Sequence, residues 1–120
     1  MIGVSIIKSE RDVLKMDFHL IKEAQQFNLE RFTKIDMIKT RTSVAFVLNF
    51  LPGQEMKAHH HPNKELYLLV IEGEGTLTID GEEKIVKKGD VIFCEEEEMI
   101  GFINTSEDNV SIYATMSKLP

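Results

Sequence analysis

From Phe32 onward the hydrophobic residues fall in short runs of four to nine positions broken by turn formers, a rhythm that predicts strands rather than helices. Residues 44–51 are dense in Val, Phe and Leu and stop at Pro52-Gly53, while residues 66–71 are apolar at every position. A run without polar alternates must be covered on both sides, by a core on one and by a second layer or a partner chain on the other. Further strands are expected at 76–79, 84–86 and 91–94, separated by Gly73, Gly75, Asp80-Gly81 and Lys88-Gly89-Asp90. Asp-Gly between two strand patterns is a strong signal for a two-residue hairpin turn. Residues 99–104 and 110–116 complete eight or so strands, with no long helix after residue 27. The pattern predicts an all-β antiparallel barrel or jelly roll.

The first quarter reads differently. Ser9 with Asp12 can cap a helix over residues 10–16, and Leu14, Phe18 and Ile21 then share one helical face. Residues 18–21 also fit a short strand, and a helical turn is expected at 22–26. With only Pro52, Pro62 and Pro120 and no Gly/Ser-rich linker, the chain reads as one domain: an extension, residues 1–31, packed on a barrel, residues 32–120.

Composition narrows the function classes. A chain of 120 residues, 42% of them hydrophobic, buries enough core to fold without disulfides or a structural metal. Its 14 Lys plus Arg against 20 Asp plus Glu give a net charge of -6, which argues against nucleic acid or an anionic membrane as the main partner. Cys94 is the only cysteine, which excludes an intrachain disulfide and a multi-thiolate metal cluster. With no basic-then-apolar leader and no apolar run of ~20 residues, a cytoplasmic protein is expected. The fitting partner is a small molecule.

Three of the four histidines stand together at His59-His60-His61. Alternate side chains of a strand share a face, so His59 and His61 can converge on one divalent ion while neutral at pH 7. A polar cluster at a strand end that binds nothing fits the local sequence equally well. Lys57 shares the strand parity of the pair and can hold an anionic ligand, although the usual fate of such a Lys is a snorkelled rim position.

The segment from Gly53 through His59, His61 and Glu65 to Gly73 resembles the first motif of the cupin family: a Gly, five residues, His-x-His, three or four residues, Glu, six residues and Gly. Seven residues separate Glu65 from Gly73, and a count of six places Leu66 in the Glu position. A one-residue slip turns a strand side chain to the other face unless a β-bulge absorbs it. The second motif appears in altered form from Gly89 to Asn104, with Glu95, Glu97 and Ile100 where the family has Pro, Gly and its last metal-binding His. The resemblance implies a double-stranded β-helix barrel, a divalent metal (Fe, Mn, Ni or Zn) on His59 and His61, and Glu65 as a further ligand. Small cupins are commonly homodimers, and the two-sided apolar strands, with residues 2–7 as an added strand, point the same way.

Four adjacent carboxylates, Glu95 to Glu98, read first as a solvated turn. Glu98, Ile100 and Phe102 share a face if a strand begins there, so Glu98 can supply the carboxylate of a two-His, one-carboxylate triad suited to Fe(II) or Mn(II), with Ile100 and Phe102 lining the ligand space. Cys94, among Val91, Ile92 and Phe93, reads as core filling. Tyr67 can offer a hydroxyl to a ligand, although packing is the default for a Tyr in an apolar strand. Three functions follow: a small-molecule-binding cupin with an incomplete metal site, a metal-dependent oxygenase, isomerase or lyase of a small polar metabolite, and a metal-free oligomeric regulatory or structural subunit. Catalysis is left open.

Overall fold

A computed structural model describes residues 16–120. The strand expected at 2–7 and all but the last residue of the helix expected at 10–16 lie outside the described residues. The expected helical turn is a short 3-10 turn, Ile21–Ala24. Among the described residues nine strands follow: β1 (Thr33–Lys39), β2 (Ser43–Phe50), β3 (Glu55–His59), β4 (Lys64–Glu72), β5 (Glu74–Ile79), β6 (Glu82–Lys87), β7 (Val91–Cys94), β8 (Ile100–Ile103) and β9 (Val110–Lys118). They form two antiparallel sheets, ordered β1-β2-β9-β4-β7 and β3-β8-β5-β6, the all-β architecture that the turn spacing predicts. No helix among the described residues is long and apolar enough to cross a membrane.

The core follows from period-two alternation. Val44, Phe46, Leu48 and Phe50 of β2 stand opposite Met116, Ala114, Ile112 and Val110 of β9, and Leu66, Leu68 and Val70 of β4 continue the same inner face. Met56, Leu77, Ile100 and Phe102 meet them from the second sheet. Each large side chain buried here contributes on the order of 1.5 to 3 kcal/mol. The Asp80-Gly81 hairpin forms as expected, with φ of 52° and 85°, which a type I′ turn requires.

One end of the barrel is plugged by aromatic rings. Phe50 lies 4.8 Å from Phe102 and 5.1 Å from Phe32, centroid to centroid. Gly75 stands where a Cβ would run into the Phe102 ring and the Ile103 carbonyl, so only glycine lets β5 and β8 approach so closely. Asn104 closes this end with its amide: Nδ2 donates to the carbonyls of Phe50 at 3.0 Å and Asp108 at 2.7 Å, and Oδ1 accepts from the Ser106 amide and hydroxyl. On the outer face, buried Asn49 donates to the carbonyl of Ala24 and to Thr33 Oγ1 and accepts from Ser111. That network pins the 3-10 turn to the first sheet and gives the outward side of β2 its cover.

Candidate functional site

The histidines stand at the end of β3, away from the aromatic plug. Met56 pairs with Phe102 and His59 with Ile100, so Lys57 and Ala58 together face Gly101 alone, a β-bulge. Residues directly opposite on paired strands share a face. Met56, Phe102 and Ile100 all point into the core, and the bulge thereby brings His59 to the inner side of the strand pair three residues after Met56 rather than two or four. His59 Nδ1 lies 2.8 Å from the Lys57 carbonyl. A carbonyl only accepts, so Nδ1 donates, and Nε2 is the ring nitrogen left to face a metal.

His61 follows in the loop before β4, its carbonyl accepting the Lys64 amide at 3.1 Å. The two rings meet edge to face with centroids 4.6 Å apart. His61 is half-buried, and its pKa is held below the usual 6.5, first by desolvation and then by the positive potential of His59, Lys64, His60 and Lys34. It is therefore neutral at pH 7, as a metal ligand must be. No third His, Cys, Asp or Glu joins the pair in a metal-holding group among the described residues.

The remaining expected residues are placed elsewhere. The alternation of β4 is unbroken from Lys64 to Val70, its bulge falling later, between Val70 and Glu72. Leu66 is buried in the core and Glu65 faces outward beside Tyr67, so Leu66 holds the inward position that the family pattern gives to Glu. Tyr67, 50% exposed, packs against Phe93 on that same outer face, the rings tilted by 48° with centroids 4.9 Å apart. The bulge separates Lys57 from the parity of His59, and its contribution to the pair is its carbonyl. Glu98 is held in the turn after β7, where its Oε1 accepts the Glu95 amide at 2.8 Å, and Glu96 accepts the Asn63 amide at 2.9 Å, tying this turn to the histidine loop. The four glutamates thus form a structured turn. Ile100 is fully buried opposite His59, and Phe102 belongs to the aromatic plug.

Residues 46–116 match the cupin domain family. The chain belongs to the cupin family. An uncharacterized protein of Methanocaldococcus jannaschii is 31% identical over 97 residues, spanning 78% of this chain and 71% of the relative. The crystal structure of a Thermus thermophilus protein superposes with a TM-score of 0.81 at 23% identity, over 88% of this chain and all of that one. A double-stranded β-helix domain protein of Klebsiella pneumoniae does so with a TM-score of 0.81 at 21% identity, covering 87% of this chain and 91% of that one. The fold is therefore the double-stranded β-helix of the cupins, and Ile100, the position to which the motif resemblance assigns the last histidine, lies across from His59.

Two further features complete this cupin's chemistry. Cys94 is buried, its thiol pushed up to about 11, chiefly by desolvation and then by Glu98, Asp80 and Glu95. Such a thiol is not a nucleophile at neutral pH, in keeping with its reading as core filling. The inner face beside the histidines is basic. Lys64 and Lys118 are cross-strand neighbours, and Lys34 lies 4.4 Å from the Phe46 ring centroid and 2.7 Å from Asp36. Reading strand parity backward from Leu66 and forward from Met116 puts Lys64 and Lys118 on the core side, a signal present in the sequence that attention to the histidines passes over.

Proposed function

We propose that this protein is a small-molecule-binding cupin in which His59 and His61 hold a divalent metal as a two-imidazole platform, with water and the bound ligand filling the remaining positions. The observation that carries the reading is the pair itself: two rings 4.6 Å apart, one fixed by the Lys57 carbonyl through Nδ1 so that its Nε2 faces away from the backbone. An imidazole-only protein donor set favours Ni(II) and Zn(II) over Mn(II) and Fe(II). The incomplete sphere means weak metal affinity in the absence of ligand, and positions left open are those through which a bound metal polarises a ligand oxygen.

Elemental analysis of untagged protein after incubation with Zn(II) and Ni(II), beside the His59→Ala, His61→Ala double variant, tests this. The expected result is one metal per chain at saturation in the wild type and none in the variant. Equal metal content in the two proteins contradicts the proposal. We further propose a homodimer built on the outer face of the first sheet, where Tyr67, Phe93 and Val91 remain exposed at 50%, 42% and 69%. Sedimentation at micromolar concentration is expected to give twice 13.7 kDa, and a stable monomer overturns it.

A further inference from the structure

Between β1, β2 and the ends of β4 and β9 lies a cleft of about 230 Å³. Lys34, Lys39, Arg41, Lys64 and Lys118 line it, and Asp36 is its single carboxylate. The chain as a whole carries -6, so this concentration of positive charge runs against the composition. Asp36 is already engaged by Lys34 at 2.7 Å. Lys64 and Lys118 stand directly across from one another in the ladder, an arrangement that is unfavourable by itself because like charges repel at that spacing. An anion between the two ammonium groups turns the repulsion into attraction.

The rim is ordered. Thr40 Oγ1 accepts from the amides of Thr42 and Ser43 at 3.2 and 3.0 Å, and the Lys118 amide donates to the Thr42 carbonyl at 2.8 Å. This turn fixes Arg41 beside the lysines and adds the Thr and Ser hydroxyls that line the cleft. Phe46 supports the Lys34 ammonium from the barrel side. The amide of Lys64, which lines the cleft, donates to the His61 carbonyl at 3.1 Å, which places the cleft next to the imidazole pair.

We infer that this cleft is a binding site for a small dianion, the phosphoryl group or paired carboxylates of a metabolite, held by Lys34, Lys64, Lys118 and Arg41. Small size follows from a volume below the usual ~300 to 1,000 Å³ of ligand pockets. The site needs no metal, and its test is run without one.

Isothermal titration of inorganic phosphate and, separately, malonate into EDTA-treated protein at pH 7.5, at matched ionic strength in chloride, reads the site directly. Saturable binding of at least one anion is expected, and the tighter of the two identifies phosphoryl or dicarboxylate chemistry. Lys64→Gln and, independently, Lys118→Gln are each expected to weaken it by about tenfold or more, since charge-assisted bonds are the strong ones. Lys84→Gln with Lys87→Gln, on the far sheet, is expected to leave it unchanged. Absence of saturable binding by both anions overturns the inference, as does equal weakening by the far-sheet pair. Having two single variants guards against misfolding of one, and the EDTA keeps the outcome independent of metal at His59 and His61.

Discussion

The two ends of this barrel carry opposite chemistry on one backbone plan. At the plugged end Phe50 is wedged between Phe32 and Phe102, Gly75 yields its side-chain space to a ring, and every polar atom of Asn104 is bonded. At the other end His59, His61, Lys34, Lys64 and Lys118 lie on the inner side of the strands, His59 and Lys118 exposed at the open mouth. The difference lies in the side chains and in the β3 bulge that turns His59 to the inner side: the first end supplies apolar burial and stability, and the second forgoes burial and keeps donors free. Substitutions at the plug should therefore change stability and spare ligand binding, and substitutions at the mouth should do the reverse.

The largest effect should come from Phe50→Ala, which removes the central ring of the plug and is expected to cost ~3 to 5 kcal/mol. Urea denaturation reads this loss, and metal binding at low temperature should be retained by the folded fraction. Asn104→Ala follows at about 2 kcal/mol, because it strands the carbonyls of Phe50 and Asp108 at a buried site. A shift in the urea midpoint corresponding to less than half of that would mean the amide is not what closes this end.

Acidification gives the smallest expected effect and probes the mouth. The folded pKa of His61 lies below its ordinary 6.5, so as pH falls through that value the unfolded chain takes up a proton that the folded chain resists. Stability should decline from pH 7 through 6.5 and on toward the lowered folded pKa, where the dependence ends. His61→Gln should flatten this segment of the profile. An unchanged slope in the variant would show that another group governs the acid limb.

Much of the fold is legible in the sequence because turns and alternation are local signals. Asp80-Gly81 dictates its own hairpin, and β7 spans the residues its apolar run predicts, Val91–Cys94. The site is less legible because it depends on two bulges that no side chain announces. One in β3 puts His59 three residues from Met56 on the same side and takes Lys57 out of register; the other, in β4, falls too late to turn Glu65 inward. Parity counted along an uninterrupted strand therefore holds in β4 and β9, where applying it to Lys64 and Lys118 would have found them, and misplaces Lys57. Glu98 escapes such counting for a different reason: it belongs to a turn held by Glu95, not to the strand that begins at Ile100.

The central claim is that His59 and His61 face position 100 across one metal-binding space, and Ile100→His tests it most directly. Without metal the variant should melt earlier than wild type, since replacing a fully buried Ile loses apolar burial worth ~1 to 3 kcal/mol. With Zn(II) at pH 7.5 a third imidazole should raise affinity at least about tenfold, ~1.4 kcal/mol, and thermal melts should show the variant recovering stability beyond any zinc response of wild type. If zinc shifts both melting temperatures equally, the histidine pair and position 100 do not share a site, and the metal assignment is withdrawn.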